Sequence, residues 1–364
     1  MPREQFIIIG FFLILCVRLL TGPAVDLVVA GSGAILLAVT RRSPAGARAW
    51  ALLAGLALLQ SVLPAFSRAA ALTPAGWYAP GSALDRWSVA PWASLRWGAL
   101  FAGAACWTVL LGGGRRWRRD VGRMIRGLGL FVAASVIVER LSGRSIIAGG
   151  ENHIATFLAM TAAEPLRRLR GSEVMPWLSL LLIGAAMGLV GAMLPLVLLT
   201  LLVLWSLRSS ERPAGEFTWR GMSVFVGVAA LASVGVASIS GRLPVWRDAA
   251  VMLWETWPWG TGFGSFRWAF PAWAVHLPAP AGRALHPEST LLWWVVEAGL
   301  PGLLLLVAFR ARATTGRAGQ ASRWALALFA LESLIEVPLL WGPCLWLVVA
   351  CYATGFDLSP REQR

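Results

Sequence analysis

The chain has 364 residues, 57% of them hydrophobic and only 14% charged, with a formal net charge of +14 at pH 7. Soluble domains carry about 25% charged residues. This composition therefore excludes an ordinary soluble domain and, with apolar runs recurring along the whole length, predicts an all-α polytopic membrane protein. Every basic residue is arginine, and loop arginines in such a chain set topology, so the charge does not point to nucleic acid.

The first apolar run, 6–20, follows Arg3 and Glu4 without a small-residue cleavage site and reads as a retained span. Basic clusters mark the cytoplasmic loops: Arg41, Arg42 and Arg48; Arg115 to Arg126; Arg167 to Arg170; Arg208 to Arg220; and Arg310 to Arg323. Runs at 6–20, 24–40, 49–66, 97–112, 124–139 and 152–165 alternate between them. As one straight helix the stretch 177–207 would measure ~46 Å, against a ~30 Å hydrocarbon core. Basic residues flank both its ends, so it must be a hairpin, with Gly184, Gly188 or Gly191 at the turn and Pro195 kinking the returning arm.

Runs at 219–237, 289–309, 323–338 and 343–356 complete one integral membrane domain, 1–364, of about twelve helices with both termini cytoplasmic. The loops at 67–96 and 238–288 then lie on the outer, periplasmic side. Cys16, Cys106, Cys344 and Cys351 all fall in apolar runs and read as small buried hydrophobes. Tryptophans are abundant; most anchor at interfaces, while those of the outer loops, such as Trp246 and Trp257, also suit stacking on sugar rings.

The long outer loop, 238–288, concentrates the chemistry. Trp246, Ala249, Ala250, Leu253, Trp254 and Trp257 recur at three- and four-residue steps and predict one apolar face of a short interfacial helix. Pro244 suits its first turn, Pro258 ends it, and Asp248 and Glu255 lie off that face. Arg242 and Arg247 near its start are suited to phosphate oxygens. Gly260, Gly262 and Gly264 alternate, as a flexible turn or as a loop whose amides approach a phosphate.

His286 and Glu288 precede the run at 289–309. Glu297, about three turns further on, would share a helical face with His286 in a continuous helix. An imidazole there can take a proton from an alcohol, and a carboxylate at membrane depth is a functional candidate. No carboxylate-rich cluster, zinc motif or nucleotide loop occurs, so the expected chemistry uses no metal and no cofactor, with arginine as the electrophile.

Ser240-Gly241-Arg242, Trp246, Pro258, Gly260, Gly262 and Phe266, then His286, Leu291, Glu297, Gly299, Leu300, Pro301 and Gly302, resemble the signature of the bacterial O-antigen ligase and polymerase superfamily. The outer loop at 83–97, the segment GRSIIAGGENHIATFLAM with Asn152, and SLIEVPLL with Glu336 are similar to further family stretches. His286-Pro287-Glu288 stands where the family has His-Asn, and IGAAMGLVGAM lacks its Ser-Arg pair.

The resemblance implies a GT-C-like membrane fold in a bacterial inner membrane. It implies inverting, metal-independent transfer of a glycan from undecaprenyl diphosphate to an acceptor hydroxyl on lipid A core or a growing glycan, at the periplasmic face. The lipid tail would lie in a groove between helices. In that reading His286, helped by Glu288, activates the hydroxyl, and Arg242 and Arg247 hold the diphosphate. Arg247, Arg144 or Arg96 would have to replace the missing family arginine, or activity is reduced or altered, and Glu297 orients the histidine or the loop. Two other classes stay open: a lipid-linked oligosaccharide transporter, expected to pair ionisable residues at mid-membrane, and a non-catalytic component of a polysaccharide assembly or export complex.

Overall fold

A computed structural model of the chain describes residues 3–21, 23–40, 47–63, 88–112, 115–169, 174–191, 193–208, 238–276, 286–308, 320–333 and 337–355. Among the described residues all regular structure is helical. The helices are α1 (Arg3–Leu20), α2 (Val25–Thr40), α3 (Arg48–Val62), α4 (Pro91–Leu111), α5 (Arg115–Ser142), α6 (Glu151–Thr161) and α7 (Ala163–Arg168). They continue as α8 (Val174–Val190), α9 (Met193–Arg208), α10 (Ser238–Thr256), the single turn α11 (Phe266–Ala269), α12 (Thr290–Ala308), α13 (Gln320–Glu332) and α14 (Gly342–Gly355).

Helix length supports fewer spans than the about twelve helices expected. Among the described residues two helices, Pro91–Leu111 and Arg119–Ser142, are long and apolar enough to cross a membrane by length and composition. Six further apolar helices have only 10–17 residues. At about 1.5 Å per residue such helices fall short of a ~30 Å core. The run expected at 219–237 lies outside the described residues. The hairpin expected within 177–207 is present: α8 and α9 meet at Gly191, whose φ of 78° suits glycine. Pro195 sits in the first turn of α9, where a missing N–H costs little, and so does not act as a mid-helix kink.

α4 packs against α2, α3 and α14, and α5 against α8 and α6. Small residues allow this closeness. A Cβ on Gly103 would meet Ala30 at 2.4 Å, and Gly33 lies flat on the buried Trp107 ring, whose indole N–H donates to the Val29 carbonyl (2.7 Å).

The connections sort to two ends of the bundle. At one end Ala148 donates its N–H to the Leu19 carbonyl (3.0 Å), Trp341 Nε1 donates to the Ala148 carbonyl (2.7 Å), and Thr290 N–H donates to the Ser333 carbonyl (2.8 Å). The buried Arg18–Asp26 pair (2.8 Å), also bound by the Trp346 indole N–H (3.1 Å), closes the α1–α2 turn there. Away from that end, Glu164 binds Arg167 and Arg168 (3.0 and 2.8 Å), and Ser322, early in α13, meets Thr354 at the end of α14 (2.8 Å).

Candidate functional site

Helix α10 begins before the expected start, so Pro244 lies inside it rather than in its first turn. Its buried stripe is Val245, Asp248, Ala249, Met252 and Thr256. Leu243, Arg247, Val251 and Trp254 face outward, Trp254 with 85% of its surface exposed. Of the predicted interfacial face, Trp254 and Trp257 are exposed, Trp246 is half-buried and Ala249 is buried, so another residue sets the inward side of the helix. That residue is Asp248, which is buried because His276 supplies both its partners: the backbone N–H at 3.0 Å and the imidazole Nδ1 on the other oxygen. Glu255 likewise accepts the Trp273 indole N–H (2.6 Å). Both acids fold the chain after α11 back onto α10.

The alternating glycines form a tied knot against the middle of α12. Pro301 has no N–H to offer the Glu297 carbonyl one turn back. That carbonyl instead accepts Gly262 N–H (2.8 Å) and Gln60 Nε2–H (3.1 Å). Gln60 Oε1 in turn accepts Phe263 N–H (3.1 Å). The fully buried Glu297 carboxylate accepts the N–H groups of Gly264 (2.6 Å) and Phe266 (2.7 Å).

Gly260, Gly262, Gly264 and Gly299 all have positive φ, and a Cβ on Gly262 would stand 2.3 Å from Ser88 Oγ. The amides of Gly260, Gly262 and Gly264 are thus spent within the protein, which corrects both expectations for this motif: it is neither a loose turn nor a phosphate cradle. Glu297 holds the loop. α12 starts only at Thr290, so the proposed continuous helical face with His286 does not exist.

Arg242 and His286 meet through Glu288. Arg242 Nε lies 4.0 Å from Glu288 Oε2, and His286 Nδ1 lies 3.6 Å from Glu288 Oε1. Glu288 adopts φ 54°, a left-handed conformation uncommon for a non-glycine residue, which turns its side chain to both partners. Nδ1 of His286 is buried without a hydrogen-bond partner among the described residues, as is the Trp246 indole N–H one helical turn from Arg242. Burial of the His286 ring lowers its pKa below the usual imidazole value; Glu288 opposes that shift and the Arg242 guanidinium adds to it.

Arg247 and Arg144 are exposed and Arg96 is half-buried, and none makes an ion pair among the described residues. Trp257 is 45% exposed at the end of α10. Glu336 lies outside the described residues. Among those described, no group of three or more His, Cys, Asp or Glu side chains is arranged to hold a metal.

Two residues were missed by the sequence. Gln60 was readable as a lone amide within an apolar run. His153, beside the noticed Asn152, stacks on Trp341 with ring centroids 6.5 Å apart. No protein-family model matches the chain, and no curated protein matches it.

Proposed function

We propose that the chain is a polytopic membrane glycosyltransferase that moves a glycan from undecaprenyl diphosphate to an acceptor hydroxyl at the periplasmic face of a bacterial inner membrane. The observation that carries this reading is the meeting of Arg242 and His286 on one carboxylate, Glu288, from opposite ends of the long loop. Two helices of spanning length, and connections from the expected outer loops that gather at one end, support the membrane part.

In this reading the acceptor oxygen attacks the anomeric carbon while its proton passes to His286. The bond from that carbon to the diphosphate oxygen breaks, and its electron pair leaves with the diphosphate. Arg242 stabilises the departing anion, and Glu288 stabilises the imidazolium that forms. Single displacement inverts the anomeric centre. The Glu297 knot fixes the loop relative to α12 and so holds the site's two sides in register.

A non-catalytic role in a polysaccharide assembly complex is favoured by one observation: Arg96, Arg144 and Arg247 make no contact with Glu288, leaving Arg242 as its only arginine partner among the described residues. Comparing surface glycans of a deletion strain complemented with wild type or His286→Ala separates the readings. Equal loss on deletion and in the variant supports the transferase; normal glycans in the variant support the scaffold.

A further inference from the structure

A cavity of about 410 Å³ opens between the starts of α1 and α5, lined by Gln5, Arg119, Asp120 and Arg123 among the described residues. That volume falls within the range of about 300 to 1,000 Å³ usual for ligand pockets. Both helices run from here to the end where Leu19, late in α1, accepts the Ala148 N–H from the loop after α5 (3.0 Å). The cavity therefore lies at the other end of the bundle.

Arg119 and Arg123 stand one turn apart on α5, and like charges at that spacing oppose each other. Asp120 relieves Arg123, its Oδ1 lying 3.3 Å from Nη1. Arg119 makes no ion pair among the described residues. The acid that α7 brings to this part of α5 is Glu164; a Cβ on Gly122 would stand 3.6 Å from its carboxylate. Glu164 is already taken by Arg167 and Arg168 (3.0 and 2.8 Å). The described lining thus carries two guanidinium groups against one carboxylate, a net charge of +1, with the Gln5 amide as a neutral donor and acceptor. The span-length part of α5, Arg119–Ser142, begins at this arginine. In a bilayer that level is the headgroup layer, where basic side chains meet anionic lipid.

We propose that this cavity holds the headgroup of an anionic phospholipid: a phosphodiester with one negative charge and free hydroxyls, as in phosphatidylglycerol. Arg119 takes the phosphate oxygens, and the Gln5 amide oxygen and the Asp120 carboxylate accept from the hydroxyls. One negative charge balances the described lining, whereas a choline headgroup brings neither net charge nor a hydroxyl. The inference rests on the membrane part of the reading above and not on glycan transfer.

The test measures lipid binding to the purified full-length protein in detergent by native mass spectrometry, with phosphatidylglycerol and phosphatidylcholine as probes. The wild type should prefer phosphatidylglycerol by about tenfold or more, the equivalent of one hydrogen bond to a charged group. Arg119→Gln should erase most of that preference. Gln5→Trp fills the cavity without changing its charge and should erase it as well. Arg126→Gln removes the same charge from α5 outside the described lining and should keep it. Inorganic phosphate should not displace the lipid.

Equal losses in Arg119→Gln and Arg126→Gln, or a full preference in Gln5→Trp, mean attraction to a diffuse basic surface and overturn the site. Displacement by inorganic phosphate overturns the lipid as its occupant in favour of a free anion. A wild type that binds both lipids equally overturns the inference and leaves the transfer reading standing, because neither Arg119 nor Gln5 enters that reaction. A wild type that binds neither lipid counts against the membrane part as well. If Gln5→Trp does not fold, the two arginine variants decide: unequal loss supports the site and equal loss overturns it.

Discussion

Arg242 and Glu288 come together from the two ends of the long loop, Nε 4.0 Å from Oε2, and Glu288 holds His286 on its other oxygen. One carboxylate thus couples the residue suited to an anion with the residue suited to a proton. Losing Glu288 should therefore affect both functions.

The first prediction concerns pH. Burial and Arg242 keep the His286 pKa below the usual imidazole value of 6.5. The acid limb of kcat/KM for glycan transfer should therefore fall below pH 6.5. Arg242→Gln removes a cause that lowers the pKa and should move the limb to higher pH. Glu288→Gln removes the cause that raises it and should move the limb to lower pH. The sign for stability follows: the folded site binds fewer protons than the unfolded chain, so its contribution is full above pH 6.5 and is lost as pH falls through the folded value. A pH–rate series on the three proteins checks the order.

The second prediction concerns Glu297. Its carboxylate accepts two buried amide N–H groups, and Glu297→Ala leaves both unsatisfied. Removal should cost ~3 kcal/mol or more of stability. Thermal unfolding in detergent should show this as a lower Tm. An unchanged Tm with lost activity would assign Glu297 to chemistry instead.

The third prediction concerns the glycine knot. Gly262→Ala combines a φ of 97° with a Cβ 2.3 Å from Ser88 Oγ, and Gly299→Ala places a Cβ 2.3 Å from the Pro258 carbonyl. Both should reduce the yield of folded protein, with Gly299→Ala the worse because its three nearest atoms are all backbone. Gly127→Ala, with nothing within 4 Å, is the neutral control.

Much of this was readable from the sequence. The α8–α9 hairpin followed from length and flanking charge, and the break after Glu297 from Gly299 and Pro301. What could not be read was long-range pairing. A buried glutamate on an apolar helix looks catalytic until its partners, the Gly264 and Phe266 amides, are known. Which side of α10 faces the protein was not legible either, because the burial of Asp248 depends on His276 far along the chain. Helix bounds were largely legible, as for the runs 24–40 and 289–309, which form Val25–Thr40 and Thr290–Ala308.

The fourth prediction concerns the buried Arg18–Asp26 pair. Arg18→Met leaves the Asp26 carboxylate buried with only the Trp346 indole beside it. Breaking such a pair should cost ~3–5 kcal/mol. The double variant Arg18→Met with Asp26→Leu should recover part of that loss. Tm values for the two variants check the coupling.

The most direct measurement is single-turnover transfer of a labelled, undecaprenyl-diphosphate-linked glycan by purified protein in proteoliposomes, comparing wild type with His286→Ala. Loss of a general base predicts a fall of about 100- to 10,000-fold in the transfer rate, with donor binding retained through Arg242. Transfer by His286→Ala at the wild-type rate would contradict the assignment of His286 as the base.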